Sequence, residues 1–161
     1  MQKSKMFQGI AIFLLGLGLL VATMFVLPVK DRSAYTPPIR DAARLQVFVF
    51  GDQGEGNYRQ RRVAAMLESH CRAASAEVIV QTVGDNFYSD GVTGIDDPKW
   101  QTRFEAMYDT PCLMQARFYG ALGNHDYGLS PDAQVDYTFA GAGTGRWHMP
   151  AKFYAYDYGA A

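Results

Sequence analysis

The chain has 161 residues, 48% of them hydrophobic and 14% aromatic, enough apolar material for one packed domain. That composition excludes the low-hydrophobicity, high-charge signature of a disordered chain. A formal net charge of -1 excludes a broad basic surface, so no nucleic-acid partner is expected and any affinity for phosphate must arise at a local site.

Residues 7–29 form an apolar run in which Gln8 and Thr23 are the only non-apolar side chains and no residue is charged. A helix of about 20 such residues crosses a bilayer. The run is long for a signal-peptide core and lacks a small-x-small cleavage site, since Arg32 stands where a small residue is needed ahead of Ser33-Ala34. Residues 1–29 are therefore expected to be a transmembrane anchor, with a cleaved signal as the alternative. Lys3 and Lys5 precede the run while Lys30 and Arg32 follow it, so charge does not fix its orientation. An N-terminal anchor ahead of the whole domain most simply leaves that domain outside the cytoplasm. Cys71 and Cys112 permit one disulfide there, and the sequence leaves open whether they meet. Residues 30–44, with Pro37-Pro38 and few large apolar side chains, read as an extended linker to a domain at 45–161.

Residues 45–50 are a nearly continuous apolar run ending at Gly51, the pattern of a buried strand. A helix is expected to start near Asn57, with Val63, Leu67, Cys71 and Ala74 inward and Arg59, Gln60, Arg62 and Glu68 toward water. Residues 77–83 form a second buried strand ending at Gly84. A short helix over 98–108 offers Trp100, Phe104 and Met107 as an inward stripe, and a third strand at 117–122 ends at Gly123. Beyond Gly128 the pattern reads as a glycine-rich loop at 141–145, and 153–158 alternates like another strand. Strands alternating with helices predict an α/β fold with a parallel sheet.

Each of the three strands ends in glycine followed by a metal-ligand type: Gly51-Asp52, Gly84-Asp85-Asn86 and Gly123-Asn124-His125-Asp126. The carboxyl ends of strands in an open α/β sheet form the ligand crevice. A single Gly-Asp is better read as a turn, but three in succession deliver two carboxylates, an amide oxygen and an imidazole to one place. Such hard oxygen and borderline nitrogen donors suit Fe, Mn or Zn. Glycines 51, 54 and 56 superficially suggest a dinucleotide loop. Their spacing is wrong, and Asp52 would oppose a pyrophosphate.

Gly-Asp-Gln-Gly at 51–54, Gly-Asp-Asn-Phe-Tyr at 84–88 and Gly-Asn-His-Asp-Tyr at 123–127 together resemble the first three signatures of the calcineurin-like metallophosphoesterases. Tyr88, and the Arg-Trp-His-Met-Pro stretch at 146–150 followed by Phe153-Tyr154, narrow the resemblance to the purple, tartrate-resistant acid phosphatase branch. It implies the N-terminal half of a β-sandwich flanked by helices and a centre of two metal ions, Fe with Fe, Zn or Mn. Asp52 would bind the first metal, Asp85 would bridge both, Tyr88 would be a phenolate ligand and Asn124 would bind the second. His125 would contact phosphate and protonate the leaving group, with Asp126 orienting it. The implied substrate is a phosphate-ester small molecule or a phosphoprotein.

Two positions depart from the branch. Gln53 stands where it usually has Trp. The family's later signatures, a lone His and a Gly-His-x-His, are missing from a chain with three histidines in all. His70 is expected on the helix surface and His148 is not assigned to a metal. The chain is accordingly expected to be part of a longer hydrolase. The alternative is a non-catalytic, membrane-tethered remnant or binding module, and a nucleotide-binding module is a weaker one.

Overall fold

The computed structural model describes residues 44–158. The expected anchor at 1–29 and all of the linker but Arg44 lie outside the described residues. Among the described residues no helix is long and apolar enough to cross a membrane.

The elements in chain order are strand β1 (Leu45–Phe50), helix α1 (Tyr58–Ala73), strand β2 (Glu77–Thr82), a π-helical turn (Trp100–Glu105) and strand β3 (Arg117–Tyr119). A 3-10 turn (His125–Tyr127), helix α2 (Pro131–Phe139) and strand β4 (Trp147–His148) follow. The four strands form one sheet in the order β1-β2-β3-β4, and every neighbouring pair is parallel. This is the α/β architecture that the strand–helix alternation predicts. Its consequence for function is geometric: all strands finish on the same edge of the sheet, so the loops that leave them meet there.

Asn57 starts α1. Its backbone is extended, and its side-chain oxygen accepts from the amides of Arg59 (2.9 Å) and Gln60 (3.1 Å), two donors that the first helical turn leaves unpaired. Ala64, Leu67 and Cys71 form the buried stripe. Two residues expected at the surface turn inward. Gln60 is 4% exposed and donates to the Arg103 carbonyl at 2.8 Å, while accepting from the Gly56 amide at 2.6 Å. Glu68 accepts from the Thr110 hydroxyl (2.7 Å) and the amides of Cys112 and Leu113 (3.2 and 3.1 Å). The periodicity of α1 marks its apolar face, but these polar side chains find their hydrogen bonds in segments far along the chain. One turn further, Cys71 is disulfide-bonded to Cys112, with Cα atoms 5.9 Å apart.

The core between the helices and the sheet is strongly aromatic. Trp100 stacks on Tyr137 at 3.7 Å between ring centroids and meets Phe87 and Trp147 edge-on. Trp100, Phe104 and Met107 are all buried, as the inward stripe predicts, although the segment winds as a single π turn, with the Ala106 amide bonded to Gln101 oxygen. Beneath it lies a buried ion pair, Arg146 Nη2 to Glu105 Oε2 at 3.0 Å. Glu105 also accepts from Tyr137 and Thr144.

Three expectations are corrected. Among the described residues β1 lies at the edge of the sheet, and Val47 and Val49 on one of its faces are exposed, so it is not buried on both faces. Residues 131–139, in the stretch beyond Gly128 where the sequence shows no regular pattern, form α2. Ser130-Pro131-Asp132 is its start signal, with proline at the first helical position and an acid in the first turn. Residues 153–158 join no ladder, and the fourth strand is Trp147–His148. Their alternation has another cause: Tyr156 and Tyr158 turn toward Tyr119, while Tyr154 packs against the core and donates to the Gly120 carbonyl. Tyr156 stacks on Tyr119 at 4.1 Å and donates to Gln81 at 2.7 Å, and Tyr158 shares a hydrogen bond with Tyr119.

Candidate functional site

The loops leaving β1 and β2 are stitched together by backbone hydrogen bonds: the Asp52 amide to Gly84 oxygen (3.1 Å) and the Tyr88 amide to Gly54 oxygen (3.0 Å). At the head of each loop an aspartate takes a left-handed backbone, φ 55° at Asp52 and 53° at Asp85. That conformation is costly for a residue with a Cβ, and aspartate is among the few that visit it routinely. Local strain therefore aims both carboxylates into the crevice. The loop after β3 approaches so closely that a Cβ on Gly123 would lie 2.2 Å from Asp85 Oδ1. Glycine is required there for close approach, not for an unusual turn.

Tyr88 joins the two carboxylates. Its hydroxyl donates to Asp52 Oδ1 at 2.7 Å and to Asp85 Oδ2 at 3.1 Å. The hydrogen bond to Asp52, with burial and the second carboxylate adding to it, pushes the phenol well above its ordinary range. The other oxygen of Asp85 accepts from the His125 amide at 3.1 Å. The His125 ring packs 4.6 Å from that of Tyr88, and its Nδ1 lies 2.5 Å from the Ser89 carbonyl. A carbonyl only accepts, so Nδ1 carries the proton and Nε2 is the ring's other functional atom. Asn124 is exposed at the start of the 3-10 turn, and its side chain has no hydrogen-bond partner among the described residues. All six residues singled out in the sequence thus belong to the three loops at one sheet edge, with Asp85 in direct contact with both Tyr88 and His125.

The sixth behaves differently. Asp126 is fully buried and does not touch the His125 ring. Its carboxylate accepts from the amides of Asn86, Phe87 and Gly123 at 2.9–3.3 Å and from the side chains of Asn86 and Gln134. It holds loops together, and the orientation of His125 comes from Ser89. Sequence reasoning also missed Arg103, whose guanidinium binds the carbonyls of Gly54 and Tyr88 from behind and so fastens both carboxylate loops. Gln53 lines a cavity of about 430 Å³ beside Asp52 and Tyr88, consistent with its expected place in the wall. His70 is exposed on α1 and His148 half-buried beside Tyr119, both away from these contacts.

The donor set fits a hard cation in kind. Two carboxylates converge on one phenol, and neither forms a salt bridge to Lys or Arg among the described residues. A cation replacing the phenolic proton would relieve that arrangement. The set is incomplete: among the described residues no three or more His, Cys, Asp or Glu side chains surround a common point.

A parallel α/β sheet with these loops at its carboxyl edge fits a metallophosphoesterase-like fold, and the chain resembles the purple acid phosphatases in sequence. It is 37% identical to purple acid phosphatase 7 of Arabidopsis thaliana over 92 residues, which are 56% of this chain and 27% of that protein. With purple acid phosphatase 17 of the same plant it shares 32% identity over 123 residues, 75% of this chain and 36% of the relative. Human tartrate-resistant acid phosphatase type 5 is 35% identical over 75 residues, 47% of this chain and 22% of the enzyme. The chain therefore spans about a quarter to a third of the length of these relatives. Among solved structures it is similar to GAP50, the anchor in the inner membrane complex of Plasmodium, with a TM-score of 0.60 and 26% identity over 71% of this chain and 36% of that one. No protein-family profile matches the chain.

Proposed function

We propose that this chain supplies part of a centre of two metal ions, Fe with Fe, Zn or Mn, that hydrolyses phosphomonoesters. The observation that carries the proposal is the meeting of Asp52, Asp85 and Tyr88 around one phenolic oxygen, at 2.7 and 3.1 Å. Asp52 and Tyr88 would hold the first ion, Asp85 would bridge, and Asn124 would hold the second, with further ligands from outside the described residues. When bound, such ions generate hydroxide from water near neutral pH and neutralise phosphoryl oxygens. The chain's own contribution to proton transfer is His125. With Nδ1–H committed to Ser89, its Nε2 is the atom that would exchange a proton with the leaving oxygen. Gln53, Asp52 and Tyr88 on one side of the crevice would flank the ester's leaving group.

The substrate in this reading is a phosphate-ester small molecule or a phosphoprotein. Membrane anchoring through residues 7–29 and residence outside the cytoplasm complete the proposal. The Cys71–Cys112 disulfide supports an oxidising compartment.

Replacing Asp85 with Ala in the longest expressed form should abolish both metal retention and phosphatase activity. Retention of either would overturn the assignment.

A further inference from the structure

Beneath the candidate ligands runs a second layer of polar side chains, each one residue along from a residue of the site. Asp126 follows His125, Asn86 follows Asp85, and Gln53 follows Asp52. All three are at least nine-tenths buried. They are joined by a fourth, Gln134, which is fully buried on α2 and belongs to none of the strand-end loops.

The hydrogen bonds among these four have one consistent direction. Both oxygens of Asp126 accept, so Gln134 must present its NH2, which donates to Asp126 Oδ1 at 2.8 Å. That leaves Gln134 Oε1 to accept from Asn86 Nδ2 at 3.0 Å. The Asn86 NH2 is shared between Gln134, the Ala121 carbonyl at 2.6 Å and Asp126 Oδ2 at 3.3 Å, and its Oδ1 accepts from Gln53 Nε2 at 3.0 Å. The chain ends at Gln53 Oε1, a buried acceptor with no donor among the described residues. Asp126 thus orients Gln134 and, together with the Ala121 carbonyl, Asn86, which in turn orients Gln53; reversing any of these amides would set like groups against each other.

We infer that Gln134 is a positioning residue for the candidate metal-binding carboxylates, because it bridges Asp126 and Asn86 within this buried network and so braces α2 against the loops carrying Asp52, Asp85 and His125. The inference rests on the metal-centre reading above. Gln134 touches no candidate ligand and acts only through Asp126 and Asn86. Hydrogen bonds made directly to metal ligands alter affinity by roughly 10–100-fold, which is the upper bound for a residue one step further out.

The test titrates the longest expressed form with ferric iron and with Zn2+, each added alone, and records thermal unfolding in parallel. Gln134→Met keeps the volume and removes both hydrogen bonds. Gln134→Glu keeps the shape and the acceptor for Asn86 but turns an acceptor toward Asp126. Both should weaken metal binding measurably, by up to roughly 10–100-fold. Tyr137→Phe, which loosens α2 by removing its bond to Glu105, should lower the unfolding temperature without changing the dissociation constant. Gln53→Met combined with Gln134→Met should weaken binding by less than the product of the two single effects, as members of one network do. Unchanged affinity in Gln134→Glu, or weakening by Tyr137→Phe in proportion to its lost stability, would reduce Gln134 to a packing residue and overturn the inference. A wild-type chain that takes up neither metal would overturn the metal-centre reading and the inference with it.

Discussion

The Tyr88 hydroxyl lies 2.7 Å from Asp52 Oδ1, a residue on the neighbouring strand's loop and 36 positions earlier in the chain. The same hydroxyl reaches Asp85, three residues before it, at 3.1 Å. One proton therefore does the work of a cation between two carboxylates. Its loss is opposed by the bond to Asp52 first, then by burial and Asp85. Metal uptake through the phenolate must release that proton. In weakly buffered solution, ferric iron binding should liberate about one more proton per ion from the wild type than from Tyr88→Phe. Tyr88→Phe should also remove any visible absorption band of the ferric protein. Equal proton release with an unchanged spectrum would exclude Tyr88 as a ligand.

Gly123 has no room for a side chain, since a Cβ would fall 2.2 Å from Asp85 Oδ1 and 2.4 Å from the Asp85 amide. Gly123→Ala should push the Asp85 loop outward and abolish high-affinity metal binding while leaving the far-UV circular dichroism of the sheet intact. A variant that binds metal as tightly as wild type would show that Asp85 is not held where the structure puts it.

The Glu105–Arg146 pair is buried on both sides, with exposures of 6% and 5%. Burial pushes the Glu105 carboxyl up, but the hydrogen bonds from Thr144, Arg146 and Tyr137 together outweigh it and hold the group below its ordinary 4.5. Its stabilising contribution is therefore complete at neutral pH. It is lost as pH falls below about 4.5 and through the folded-state value. Arg146→Met strands the carboxylate and should cost about 3–5 kcal/mol at pH 7 by denaturant unfolding. Arg146→Met with Glu105→Leu should recover most of the loss.

His148 titrates with the opposite burden. Burial first, and the charge of Arg117 second, push its imidazole from 6.5 down to about 4. Between these values the unfolded chain binds the proton and the folded one does not, so stability rises with pH from about 4 to 6.5. His148→Gln should flatten that slope, removing a pH dependence on the order of 1–3 kcal/mol. A profile unchanged across this window would assign the slope to other groups.

The parts legible in the sequence are those where residue type alone restricts the structure. The runs at 45–50 and 77–82 announce strands, and Gly-Asp, Gly-Asp-Asn and Gly-Asn-His mark the loops at their ends and after β3. What stayed hidden was the polar interior. Gln60, Glu68 and Gln134 look like surface residues because nothing local distinguishes a glutamine facing water from one hydrogen-bonded to a distant carbonyl. α2 escaped for a related reason: Ala133, Gln134, Val135 and Tyr137 are all buried, so the helix has no polar–apolar division to read. Asp126 was placed in the right loop but given the wrong contact. Its neighbour His125 suggests an imidazole–carboxylate pair, whereas the fold spends both oxygens on N–H donors of its own loop, the loop after β2 and α2.

The disulfide closes 41 positions of the chain into a ring that contains all of β2, Asp85 and Tyr88. Asp52 and His125 lie outside it on either side. Thermal agitation that frays the sheet edge therefore cannot carry the two inner ligands away freely, because their segment is tethered at both ends to the last turn of α1. The covalent link keeps the effective local concentration of Asp85 and Tyr88 high around the crevice, and a reducing agent, acting far from any candidate ligand, should make metal exchange faster.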